Sequence, residues 1–279
     1  MAASKSLPDI DDPSNTTDGP VVDFSRVSVG FDGKPVLTDI SFTAGTGETR
    51  IILGPAGCGK SVLLKMANGL LMPDYGHIHI FGEDVTTLSQ QEMFHLRKKI
   101  GMVFQESALF DSLTVRDNVA YQLREQHLDN ATIEEKVLEV LRFVELEHTV
   151  DKYPAELSGG MRRRVAIARA IITQPKLLLY DSPTGGLDPI TSATIIELIV
   201  KQRDVYEGTA LLVTHRLQDA YILATHCFNR KTNKMQPIPG NGLDQKTTFL
   251  VLNETRIVFN GMLPELVHSS DPFIKEFLS

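Results

Sequence analysis

Cysteine is nearly missing: Cys58 and Cys227 are the only two in 279 residues. That excludes a disulfide framework. Long hydrophobic runs are missing as well, since no apolar stretch approaches the ~20 residues of a membrane-spanning helix. An excess of positive charge is also lacking. The formal net charge is −7, which argues against nucleic acid as the main partner. The first residues do not form the charged-then-apolar pattern of a secretory leader. Residues 1–20 are polar and acidic instead, rich in Pro between Pro8 and Pro20, and read as a disordered tail. A cytoplasmic protein is therefore the expectation, with residues 21–279 as a single domain large enough for a proper core.

What is present begins with Gly54-Pro55-Ala56-Gly57-Cys58-Gly59-Lys60-Ser61, the full pattern of a phosphate-binding loop. An apolar strand-like run (Ile51, Ile52, Leu53) precedes it, and a helical run (Val62, Leu63, Leu64, Met66) follows. The motif requires that context. Glycines let successive backbone N–H groups turn inward around a polyphosphate. Lys60 supplies a charge to the β- and γ-phosphates, and the Ser61 hydroxyl can ligate Mg²⁺. The helix N-terminus, from Val62 onward, favours the anion. Cys58 has two readings, a reactive thiol or a small filler.

Strand signals run over Val21–Val29, Val36–Phe42 and Thr49–Leu53, with Phe31-Asp32-Gly33-Lys34 as a turn. His77–Phe81 reads as an exposed edge strand. Its two histidines share one face, but no further metal ligand lies nearby in sequence. Helical spacing links Leu88, Met93 and Leu96, and again Ile133, Val137, Leu138, Leu141 and Val144. Ser158 can cap a helix with Met161, Val165, Ala168 and Ile172 as its buried stripe. Arg162-Arg163-Arg164 in that helix reads either as a solvated start or as a group with a role at an interface or in phosphate binding. Leu177–Tyr180 and Leu211–Val213 are continuous apolar strands. Such runs alternating with helices imply a parallel sheet buried on both faces. Residues 229–247 read as a polar surface insertion or mobile loop. Phe249–Phe259 reads as a hairpin, and helices are expected from Pro264 and from Pro272.

Asp181 and His215 each end an apolar strand, where α/β sheets place ligand-binding groups. Asp181 can hold the Mg²⁺ shell, and His215 can sense or stabilise the γ-phosphate. The order along the chain is phosphate loop, Gln105, Ser158-Gly159-Gly160, Asp181, Asp188, His215. That ordered set resembles the ATP-binding subunit of ATP-binding cassette (ABC) transporters. Leu157-Ser158-Gly159-Gly160-Met161 resembles the signature motif, Gln105 the Q-loop and Leu177–Asp181 Walker B. Gly186-Leu187-Asp188-Pro189 resembles the D-loop, His215 the switch histidine and Phe31 the adenine-stacking aromatic.

The resemblance implies an α/β P-loop NTPase (RecA-like) core with a mixed sheet, an antiparallel β subdomain and an inserted helical subdomain at about 106–172. It implies ATP and Mg²⁺ as cofactors, with Ser61, Gln105 and Asp181 around the metal. It also implies an integral membrane permease as partner and a homodimer in which Ser158-Gly159-Gly160 of one copy faces the nucleotide of the other. The protein would then lie peripherally on the inner face of the cell membrane. Met102–Gln105 with Ala108–Val115, Met161 followed by Arg163-Arg164-Val165-Ala166, and the ending Ile257–Gly261 with Pro264-Glu265-Leu266 resemble the Mla-type branch. That branch implies phospholipid transport with an MCE-type substrate-binding protein. Leu109, Phe110 and Leu113 read either as core of the helical subdomain or as part of a permease groove.

One position departs from the pattern. The family's water-polarising glutamate follows the Walker B aspartate, and here that position is Ser182. Serine cannot act as a carboxylate base, and losing general-base assistance costs about two to four powers of ten in rate. Two readings stay open: a slow ATPase with His215 compensating, or a hydrolysis-deficient, nucleotide-gated interaction module.

Overall fold

A computed structural model describes residues 19–126 and 128–279. The expected tail, apart from Gly19 and Pro20, lies outside the described residues. Val22–Phe31 (β1) and Lys34–Ala44 (β2) alternate buried and more exposed positions, as an antiparallel sheet with one face on the core does. Asp32 and Gly33 turn between them at φ of 50° and 75°, a conformation that matches the strand twist.

Thr49–Leu53 (β3) is buried at every residue and runs into Lys60–Ala67 (α1). Tyr75–Ile80 (β4) and Glu83–Asp84 (β5) complete a sheet of order β2-β1-β4-β5. The histidine strand is thus not an edge, because β5 pairs with its end through His79 and Ile80. His77 Nδ1 lies 2.8 Å from Asp84 Oδ2, and no metal-holding His/Cys/Asp/Glu group occurs among the described residues.

Gln90–Arg97 (α2) starts at a Ser89–Glu92 capping box and leads to Ile100–Val103 (β6). Three helices follow: Val115–Arg124 (α3), Asn130–Phe143 (α4) and Gly159–Ile171 (α5). Each begins at a side-chain cap, where Thr114, Asp129 and Ser158 accept the N–H three residues on at 3.2, 3.0 and 3.2 Å. The chain then returns to strand–helix alternation with Leu177–Asp181 (β7), Pro189–Tyr206 (α6), Thr209–Val213 (β8) and Leu217–Thr225 (α7). His226–Asn229 (β9) and Lys234–Pro237 (β10) form a separate hairpin. Thr247–Asn253 (β11), Arg256–Gly261 (β12), Leu263–Val267 (α8) and Pro272–Leu278 (α9) end the chain.

The second sheet has the order β12-β11-β3-β8-β7-β6, parallel except for β12. Its inner strands β3, β7 and β8 are buried at every residue and mostly apolar because both faces are covered, whereas the edge strand β12 alternates exposed and half-buried positions. Ile51, Leu178, Tyr180 and Leu212 point into one core with the helices. Ile52, Leu177, Leu179 and Leu211 point into the other with the antiparallel sheet. Period-2 alternation therefore remains, hidden by apolar residues on both sides.

The stretch 229–247 is not a loose loop. Phe228 N–H donates to Asp204 Oδ2 at 2.6 Å and Met235 N–H to Glu197 Oε1 at 3.0 Å, which fastens β9 and β10 to α6. Buried Arg203 adds a bond to His226 O at 2.7 Å and an ion pair to Asp244 at 3.2 Å. Two carboxylates of α6 thus hold the hairpin backbone, while residues 230–234 stay exposed.

Candidate nucleotide-binding site

The loop from Gly54 to Gly59 leaves the carboxyl end of β3. A side chain at Gly54, where φ is 150°, would place its Cβ 2.4 Å from Leu252 O and 2.8 Å from Cys58 Sγ. Only glycine fits there. Lys60 Nζ reaches back to donate to Gly54 O at 2.9 Å and Pro55 O at 2.7 Å. Its ammonium is thereby held inside the loop. Cys58 is buried beneath the loop, its sulfur 3.7 Å from Lys60 Nζ, so it packs as a filler. Ser61 Oγ donates to Asp181 Oδ1 at 2.8 Å. That bond ties the start of α1 to the carboxyl end of β7.

A cleft of about 400 Å³ opens over this loop. Ala56, Gly57, Gly59, Lys60, Ser61 and Val62 form its floor, Phe31 and Val36 of the antiparallel sheet one wall, and Gln105, Ser182 and His215 the far rim. The rim residues follow β6, β7 and β8, whose carboxyl ends lie side by side because these strands are parallel neighbours. The polar rim can meet charged groups, and the aromatic wall a flat ring. Phe31 is 44% exposed.

Ser158, Gly159, Gly160 and Asp188 lie outside that cleft. Ser158 and Gly160 line a separate hollow of about 110 Å³ with Ile190 and Thr191. A Cβ on Gly160 would come within 2.3 Å of Thr191 Cγ2, so glycine lets α5 and α6 touch. Asp188 caps α6 by accepting from the N–H groups of Ile190 and Thr191 at 3.0 Å each. The Thr191 hydroxyl bond to its carboxylate holds its pKa below the usual range.

Two site-adjacent groups escape the sequence reading. Arg163 is buried and donates to Phe104 O at 3.2 Å, Ser182 O at 3.3 Å and Gly185 O at 3.4 Å. Arg162, exposed, and Arg164, half-buried, bond Leu157 O and Val144 O instead, so the three arginines part in different directions. Spacing carries the missed signal, because Gly160, Arg163, Ile167 and Ala170 fall on one buried stripe of α5. Asp219 of α7 accepts from the Thr184 hydroxyl. Burial pushes its pKa up, against the opposing pull of Thr184, Arg216 and His215.

The segment after Gln105 divides. Leu109 packs against the main core. Phe110 is exposed, its ring 4.9 Å from that of Tyr121. Asn118 fixes the loop by bonding Phe110 N, Phe110 O and Leu113 O at 2.8, 3.0 and 3.1 Å. Tyr121 also lines a groove of about 240 Å³ with Phe94, Arg97 and Lys98.

The family model described as ABC transporter matches residues 37–185. This chain belongs to the ABC transporter family. It is an ATP-binding, ATP-hydrolysing subunit of that family, with the P-loop NTPase α/β fold. It is 37% identical to the methionine import ATP-binding protein MetN 2 of Bacillus anthracis, over 88% of this chain and 75% of that one. It is 33% identical to the intermembrane phospholipid transport system ATP-binding protein MlaF of Escherichia coli (strain K12), over 92% of this chain and 88% of that one. Among solved structures, the dimeric post-hydrolysis ATP-binding cassette MJ0796 bound to ADP and Pi superposes with a TM-score of 0.73. It shares 27% identity over 87% of this chain and 98% of that one.

Proposed function

We propose that this subunit binds Mg-ATP in the 400 Å³ cleft, closes the site against a second copy, and drives phospholipid transport through a membrane permease. The observation that carries the nucleotide site is the pairing of a caged Lys60 ammonium with the Ser61–Asp181 bond in one cleft. Ser61 Oγ and Asp181 Oδ1 are hard oxygen donors, which suits Mg²⁺, and Gln105 lines the same cleft as Ser61. The ion would neutralise charge on the β- and γ-phosphates. Lys60 adds its charge at the same oxygens, and the loop amides with Val62 and the first turn of α1 bind the phosphates. Phe31 stacks on the base. Gln105 and His215 bracket the γ-phosphate end. Ser182 hydrogen-bonds the water but cannot deprotonate it as a carboxylate would.

Ser158, Gly159 and Asp188 are exposed and Gly160 packs behind them on Thr191, so in this reading the Ser158-Gly159-Gly160 turn and Asp188 complete the site of the second copy. A C₂ pair supplies both halves twice. The groove beside Phe94 and Tyr121, flanked by Phe110, receives a permease segment. No helix among the described residues is long and apolar enough to cross a membrane, so membrane attachment runs through the permease, on the inner face. An MCE-type protein completes the transporter.

Identity is 33% to the phospholipid ATPase and 37% to the methionine one, so the support for lipid as cargo is the Mla-type resemblance of Met102–Gln105 with Ala108–Val115. The test is to purify the chain with its membrane partner and measure ATP-driven lipid transfer between vesicles. Lipid transfer supports the reading, and methionine uptake without lipid transfer overturns it. Ser182 favours a second reading, in which slow hydrolysis makes bound nucleotide an assembly signal.

A further inference from the structure

We infer that Arg163 is a positioning residue that locks Gln105, Ser182 and the entry to the Asp188 loop into one rigid unit moving with α5. This rests on the nucleotide-site reading above.

Arg163 is 5% exposed and has no carboxylate within bonding distance among the described residues. Its guanidinium instead serves three carbonyls from two separate segments. Nη1 donates to Phe104 O, one residue before Gln105, and to Ser182 O, while Nη2 donates to Gly185 O. Ser182 O also accepts from Gly185 N–H at 2.9 Å, so both its lone pairs are used. Burial pushes the guanidinium pKa down, and the charges of Glu106 and Asp181 oppose that. A buried cation solvated only by neutral carbonyls is an expensive way to fill space. An apolar side chain would leave those carbonyls without this donor and the two loops free to move separately.

The planar fork is what the position needs. One guanidinium spans carbonyls on both segments at fixed angles, whereas a lysine ammonium is a point charge on a flexible stem. The connection also has a direction. α5 begins at Ser158, the residue proposed to meet the other copy's nucleotide, and Arg163 lies just over one turn further along. A shift of α5 on pairing therefore reaches Gln105, Ser182 and Gly185 together. Where the water-polarising carboxylate is absent, catalysis leans more on holding the water and γ-phosphate in place, and that raises the demand on this lock.

The test uses the full chain purified with its membrane partner, as wild type, Arg163→Met and Arg163→Lys. Amide hydrogen exchange by mass spectrometry reads residues 104–108, 182–188 and 49–62 separately. In Arg163→Met the first two segments should exchange at least about tenfold faster, the scale of losing one bond to a charged group, while 49–62 stays unchanged. The ATP dissociation constant should hold and kcat should fall by at least about tenfold, with Arg163→Lys in between for both. Lys60→Ala separates this inference from the site reading, because it should lose ATP binding without loosening 104–108 or 182–188. Unchanged exchange in Arg163→Met, or a parallel loss of stability, affinity and kcat that Arg163→Lys does not relieve, overturns the inference. If Lys60→Ala binds ATP normally, the site reading fails instead.

Discussion

Two glycine-bearing turns open helices in this chain, and they are built in opposite ways. The turn before α1 faces inward. Its lysine is 8% exposed and bonded to the loop's own carbonyls, and its serine is bonded to Asp181. The turn before α5 faces outward. Ser158 and Gly159 are exposed, and among the described residues the Ser158 hydroxyl accepts only the N–H of Met161 in its own helix. Glycine at 54 serves the loop's path past β11, whereas glycine at 160 serves contact with Thr191 on α6. A motif whose polar groups are already oriented needs little reorganisation to take a phosphate. A motif that satisfies only its own helix has its binding capacity left over for another surface. In the proposed reading, that difference leaves the second turn free to meet the other copy's nucleotide.

The largest effect should come from breaking the inward half. Lys60→Ala is expected to weaken ATP binding by about a hundredfold or more, because it deletes charge-assisted bonds to the phosphates. Calorimetric titration checks this, and unchanged affinity would mean that the phosphates bind elsewhere. Breaking the outward half should give the converse. Ser158→Arg is expected to leave ATP affinity of the separate subunit unchanged and to abolish ATP-dependent pairing, read by sedimentation with ATP and Mg²⁺. Loss of ATP binding in that variant would erase the contrast between the two turns.

A middle-sized effect is expected at the junction of the halves. Ser182→Glu places a carboxylate on the cleft rim, and steady-state phosphate release should rise by at least about tenfold, within the range of a positioned base. Fast wild-type turnover that the substitution does not raise would mean that another group activates the water.

The inward half was legible in the sequence because its chemistry is local. Residues 54–61 are contiguous, and flanking apolar runs announce β3 and α1. Asp181 and His215 were legible because each ends an unbroken apolar strand. Arg163 was not, because its partners Phe104, Ser182 and Gly185 are far from it in sequence and are backbone carbonyls, which carry no residue code. The β9–β10 hairpin shows the same limit. Its exposed polar residues read as a surface insertion, but composition could not show that Asp204 and Glu197 of α6 accept its amides. The histidine strand looked like an edge because β5, which covers its end, has only two residues. Phe110 and Leu109 could not be separated by composition. Only the contact of the Phe110 ring with Tyr121 and the packing of Leu109 on the core tell them apart.

The smallest effect tests what supports the rim. Asp219 is buried beneath the Thr184 hydroxyl with Arg216 Nε at 3.6 Å, and burial holds its pKa above the ordinary carboxylate value. A group whose folded-state pKa is raised binds its proton more tightly in the native chain than in the unfolded one. Its contribution is therefore fully present below the ordinary aspartate pKa of about 3.9 and is lost as pH rises through the raised value. Asn at this position can still accept from Thr184 but cannot lose a proton, so it removes that dependence. Near pH ~4 the Asp219→Asn variant should melt close to the wild-type temperature, because native Asp219 is then largely protonated and neither side chain carries a charge. The difference should then move in the variant's favour as pH is raised toward ~7, where wild type holds a buried charge. Thermal melts of both proteins across that range read the trend directly. A melting difference that does not change with pH would mean that Asp219 titrates alike in the folded and unfolded chains, and that Arg216 and His215 fully offset its burial.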